Sequence, residues 1–155
     1  MQNLQVSRWG VSLLGVFSLI GFIDATYLSA EHFLGLIPPC TLLQGCEQVT
    51  TSAYSVILGV PVALLGAIFY LAVMIGVLLY LQTQQEKIIA SVVYASWAGL
   101  AAAVYFTYIQ AFVIHAYCQY CLLSAVTSTL IFIVAQSMVW RGRGSSLDAV
   151  VTKVS

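Results

Sequence analysis

Four cysteines fall into two pairs, Cys40 and Cys46 with five residues between them and Cys118-Gln-Tyr-Cys121 with two. Residues three apart on a helix bring their Cβ atoms to about 5 to 6 Å, close enough for a disulfide after small adjustment. A Cys-x-x-Cys at a helix N-terminus also gains thiolate character, because unpaired backbone N–H groups and the helix dipole favour negative charge there. Cys118 and Cys121 therefore have the form of a redox-active pair. Two other chemistries use the same atoms, a static disulfide and a tetrahedral zinc site completed by Cys40 and Cys46. A bridge across one helical turn closes too short a loop to stabilise a packed helix much, and four-thiolate zinc belongs mostly to small domains that fold around the metal. Thiol–disulfide exchange is the favoured reading, and no metal is expected. Taken alone, Cys40 and Cys46 suit a structural staple as well as a redox pair. Two pairs on one face of a small protein, however, can exchange by thiolate attack on a neighbouring disulfide, one pair relaying electrons to the other. Among the remaining residues, Asp24 lies in an otherwise uncharged apolar stretch, where carboxylates tend to be functional, although it could simply face the outer interface. His115, three residues before Cys118, could exchange protons with a thiol, although interfacial histidines are usually just solvated.

The elements that must hold these residues follow from composition. Of 155 residues 61% are hydrophobic and only 6% are charged, five acidic and five basic. A soluble domain averages about a quarter charged residues, so the chain belongs in a bilayer. With zero net charge and no basic stripe, nothing is available to neutralise phosphates, and nucleic acid is excluded as a partner. A spanning helix needs about 20 mostly apolar residues. Four such helices are expected, at about 9–30, 59–81, 88–115 and 118–140. The last two come from one uncharged run that as a single helix would reach about 80 Å, so it must reverse, and the polar, aromatic stretch His115 to Tyr120 is the place. The first apolar stretch has no Ala-x-Ala-like cleavage site and is expected to stay in the mature protein.

Four spans put both termini and the 82–87 connection on one side, and Arg8, Lys87, Arg141, Arg143 and Lys153 all fall on it. The positive-inside rule makes that side cytoplasmic and turns all four cysteines outward, where thiols pair and persist as disulfides. The outer loop, residues 31–58, is expected to carry a short amphipathic helix, because Val49, Ala53, Val56 and Ile57 share one face at helical spacing. Residues 141–155 read as a mobile cytoplasmic polar tail. The expected fold is an all-α integral membrane protein, a four-helix bundle with this loop across its outer end. Electrons leaving the dithiols need an acceptor. No haem, flavin or iron–sulfur ligand set is visible, so a lipid-soluble quinone held among apolar helices is the economical choice.

Cys40-x5-Cys46-Glu followed by Ser52, then Tyr54-Ser-Val-Ile-Leu-Gly-Val-Pro61, Gly66-Ala-Ile-Phe-Tyr70 and the late Cys118-x-x-Cys121 together resemble the vitamin K epoxide reductase family in its bacterial branch, over roughly residues 9 to 140. The resemblance implies that Cys118 and Cys121 are the active-site pair beside the quinone, Cys40 and Cys46 the shuttle pair, and Ser52 a hydroxyl near the quinone pocket, with Val62, Leu65 and Phe69 in its wall. It implies ubiquinone or menaquinone as acceptor, a bacterial plasma-membrane location, and a thioredoxin-fold exported protein as electron donor. Some bacterial members carry that donor as a fused domain; this chain ends at Ser155 without one, so a separate protein is expected. Val62 stands where the vertebrate enzymes carry an amide, and Ala125 where they carry a tyrosine. Both departures favour simple quinone reduction over quinone-epoxide reduction, the nearest alternative. A membrane scaffold with inert disulfides is the alternative outside the enzymes.

Overall fold

A computed structural model describes residues 8–40 and 45–154, with side chains through Arg141. Its elements are α1 (Arg8–Leu34), α2 (Cys46–Thr50), a 3-10 turn (Ala53–Ser55), strands β1 (Val56–Ile57) and β2 (Val60–Pro61), α3 (Val62–Thr83), α4 (Glu86–Tyr108) running on as a π-helical turn (Ile109–Ile114), and α5 (Gln119–Val154). Among the described residues, four helices are each long and apolar enough to cross a membrane. The fold is the expected four-helix membrane bundle, with a short helix in the connecting loop. Its ends differ in detail from the expectation. The stretch 59–61, expected to open the second span, belongs to the hairpin, and residues expected as a polar tail continue α5 in helical backbone through Val154. The loop positions 41–44 and the tail's side chains lie outside the described residues.

The long helices hold together by close fit rather than by segregation of polar and apolar faces, because lipid offers no driving force for apolar burial. Leu14, Tyr70, Val73, Ile89 and Ile131 are at most 1% exposed at the centre. Tyr70 joins three helices. Its ring occupies the space that a Cβ on Gly21 of α1 would need, and its hydroxyl meets α5, donating to the Ser124 carbonyl oxygen at 2.7 Å with Ser124 Oγ and Thr127 Oγ1 at 3.0 and 2.9 Å. A buried phenol needs such partners, since leaving it unpaired costs about 1 to 3 kcal/mol. Phe69 fits against Gly99 of α4 in the same manner.

The loop corrects one expectation. Val49 is buried on a short helix that exposes Glu47 and Gln48, but the helix stops at Thr50, so Ala53, Val56 and Ile57 do not continue its face. The Thr51 hydroxyl donates to the Glu47 carbonyl at 2.6 Å and the Ser52 hydroxyl to that of Val49 at 2.7 Å, the local side-chain bonding that ends helices. Beyond it, Leu58 and Gly59 both take positive φ, 52° and 82°. Such a two-residue turn demands extended flanks, and Val56 pairs with Pro61, Ile57 with Val60. Pro61, expected in the first turn of the second span, sits in β2 directly before α3.

Candidate redox site

Cys118 directly precedes α5, and its carbonyl oxygen accepts the Leu122 N–H at 3.0 Å, the first helical bond of that helix. The chain reaches this point through the π-helical turn and a reversal at His115, whose φ is 55°. Gln110, only 2% exposed, fastens the reversal. Its side-chain Oε1 accepts the Cys118 N–H at 3.0 Å and its backbone oxygen accepts the Ala116 N–H at 3.1 Å. Sequence reasoning missed Gln110; the one signal available was an uncharged amide in an apolar run close to a cysteine pair.

The loop pair is a disulfide, Cys40 to Cys46, with Cα atoms 5.9 Å apart. Cys46, Val49, Ala116 and Cys118 form one buried cluster, with Cys40, Tyr120 and Cys121 packed against it. Cys118 is completely buried and Cys46 is 1% exposed. Two contacts dock the loop here. The Tyr120 hydroxyl donates to the Pro39 carbonyl at 3.1 Å, beside Cys40, and Gly45 lies so close to the backbone of Tyr117 that a Cβ there would come within 2.7 Å of both its N and its O.

Cys118 and Cys121 are thiols in this arrangement. The neighbouring Cys121 thiol, hydrogen-bonded to Cys118, holds the Cys118 thiol down to about 7 from an ordinary 9.0, against its burial and with help from the N–H groups of Cys121 and Tyr120. The anion-stabilising end of α5 thus serves Cys118, whose position just ahead of the helix faces those N–H groups.

Cys121 meets a different environment. It lies in the wall of a cavity of about 690 Å³ between α1, α3, α4, α5 and the loop, shared with Asp24, Phe69, Gln110 and Ser124. Cys118 is not in that wall. The expected pocket residues Ser52, Val62, Leu65 and Phe69 all line the same cavity, as do Tyr70 and Ala125. Ser52 directs its hydroxyl hydrogen to Val49, which leaves its oxygen lone pairs to accept. Asp24 is 7% exposed and faces the cavity, whereas His115 is exposed at the reversal and does not line it. The two sulfurs of the Cys-x-x-Cys touch each other yet border different surroundings. One is buried against the loop disulfide and the other opens to an apolar chamber within the bundle, an arrangement able to move electrons from loop to chamber by thiol–disulfide exchange.

No curated protein matches the chain. The model of the vitamin K epoxide reductase family matches residues 12–136, which takes in most of each of the four spans and both cysteine pairs. Cysteine redox chemistry in a multi-pass membrane bundle, with quinones or their epoxides as the electron partners, is what that family does. With both cysteine pairs and most of each span inside the matched region, the chain is an oxidoreductase of the vitamin K epoxide reductase family.

Proposed function

We propose that the protein is a thiol:quinone oxidoreductase that reoxidises an exported thioredoxin-fold protein and so supports disulfide formation outside the cytoplasm. The donor's dithiol reduces the Cys40–Cys46 disulfide and leaves as a disulfide. Cys46, next to Cys118, then attacks the Cys118 sulfur of an oxidised Cys118–Cys121 pair, and closure of Cys40–Cys46 releases the second pair as a dithiol. That dithiol passes two electrons to a quinone lying against Cys121 and becomes a disulfide again. The supporting observation is the division of the second pair between two environments, Cys118 clustered with Cys46 and Cys121 in the cavity wall.

The cavity fits a quinone. Its volume of about 690 Å³ lies inside the range of about 300 to 1,000 Å³ usual for small-molecule sites, which pair an apolar lining with few polar groups. Here Leu65, Phe69, Ala102 and Phe106 supply apolar surface, Gln110 and Ser128 supply groups able to bond a carbonyl oxygen, and Ser52 supplies an acceptor. Val62 in this wall offers no hydrogen bond, which favours plain quinone reduction.

Replacing the loop cysteine that resolves the donor's attack should trap the protein and a reduced thioredoxin-fold donor as a mixed disulfide, visible on non-reducing gels with Cys40→Ser or with Cys46→Ser. Failure of both variants to trap the donor would leave the loop pair as an inert staple. The donor's location also demands external cysteines. A membrane-impermeant maleimide applied to intact cells after reduction should label the protein, since every lysine and arginine falls on the opposite side in a four-span topology. Labelling that requires lysis would reverse the orientation.

A further inference from the structure

Asp24 is the one carboxylic acid in the cavity wall among the described residues, and none of the thiol exchange steps above uses it. It is 93% buried by its 7% exposure, and its Oδ2 has no hydrogen-bond partner among the described residues. Among the described residues no lysine or arginine shares the wall; the other titratable groups there are His32, Tyr54, Tyr70 and Cys121. The Tyr70 hydroxyl is engaged by Ser124 and Thr127 of α5. Asp24 shares the cavity wall with Cys121. A purely structural carboxylate inside a bundle would be paired with a base or fully hydrogen-bonded, because an isolated one is expensive to bury. A group that alternately holds and releases a proton cannot be permanently paired.

We propose that Asp24 is the proton carrier of quinone reduction: its carboxylate takes the proton of the Cys121 thiol and delivers it to the quinone oxygen. The inference rests on the thiol:quinone reading above. The overall step is Cys118–SH plus Cys121–SH plus quinone giving the Cys118–Cys121 disulfide plus hydroquinone. Two S–H bonds break, one S–S bond and two O–H bonds form, and two electrons pass from sulfur to the quinone ring. One proton travels from Cys121 to a quinone oxygen through Asp24, which ends as it began. The proton of Cys118 leaves to water, and the second quinone oxygen takes one from water.

The test separates the two halves of the cycle in the purified full-length protein, with Asp24→Asn and Asp24→Glu variants. Electron entry is followed without quinone, as loss of the Cys118–Cys121 disulfide on adding a reduced thioredoxin-fold donor. Quinone reduction is followed in single turnovers of prereduced protein with a short-chain ubiquinone or menaquinone. Asp24→Asn should slow the second half about 100-fold or more, the low end of what a positioned acid–base group supplies, with the half-saturating quinone concentration and electron entry little changed. Asp24→Glu, which restores the proton-carrying group, should recover at least a tenth of the wild-type rate. Undiminished quinone reduction by Asp24→Asn overturns the proposal. So does equal slowing of both halves, which marks a packing defect, or weaker quinone binding at an unchanged maximal rate, which marks a binding group. Asp24→Glu as slow as Asp24→Asn also counts against it. Wild-type protein that accepts electrons but reduces no quinone removes the underlying reading itself, a result distinct from all of these.

Discussion

Replacing Cys118 by alanine should leave a protein that accumulates a thiolate–quinone charge-transfer band in the visible, and replacing Cys121 should abolish that band. The two sulfurs are three residues apart, about 4.5 Å along a helix axis, yet one is sealed in the loop cluster and the other lines the cavity. Without Cys118, Cys121 can meet quinone but has no partner with which to close a disulfide. Without Cys121, Cys118 can still exchange with the loop, and a disulfide between Cys118 and a loop cysteine should accumulate, detectable by peptide mapping of the unreduced protein. Both variants should lose turnover by about 10³-fold or more, since groups that act as one catalytic unit fail together. The lowered Cys118 thiol suits it to attack the sulfur of a Cys121–quinone adduct, closing the pair as hydroquinone leaves, because the thiolate is the reactive form. A band that survives loss of Cys121 and vanishes with Cys118 would reverse the assignment.

Gly45→Ala is expected to cut donor-driven turnover by about 100-fold, the order attached to a displacement of about 1 Å in a reacting group. The added methyl would meet Tyr117 N and O at 2.7 Å and Ala116 Cβ at 3.0 Å. Backbone atoms held by the Gln110 bonds cannot swing aside as a long side chain can, so the loop must lift and carry Cys46 away from Cys118. The Cys118 N–H stays tied to Gln110, so the active pair and the cavity keep their places while the loop gives way. Quinone reduction driven by dithiothreitol acting directly on Cys118 and Cys121 should therefore persist near the wild-type rate. A variant equally impaired with both reductants would show general unfolding, and one unimpaired with the donor would show that loop docking does not govern electron transfer.

Hydropathy made the bundle legible because crossing a bilayer imposes length and apolarity on every span, and lone breaks such as Glu86-Lys87 stand out against that background. The same uniformity hides which face of a helix turns inward. α1 is apolar on all sides, so nothing in its sequence distinguished an Asp24 aimed into the cavity from one aimed at the interface; packing against α3 and α5 decides it. The Cys-x-x-Cys was readable because spacing alone carries its chemistry, whereas Gln110 became its anchor only through a π-helical turn, whose wider winding changes which residues share a face. In the loop, apolar spacing suggested one helix. The hydroxyls of Thr51 and Ser52 and the positive φ of Leu58 and Gly59 divided that segment into helix, turn and hairpin.

The most direct measurement is quinone reduction by the detergent-purified protein on addition of a reduced thioredoxin-fold donor, with quinone and donor thiols followed together. The account predicts one quinone reduced for each donor dithiol oxidised, and loss of both signals when any of Cys40, Cys46, Cys118 or Cys121 is replaced. Donor oxidation without quinone reduction, or an undiminished rate in the absence of Cys40 and Cys46, would contradict it.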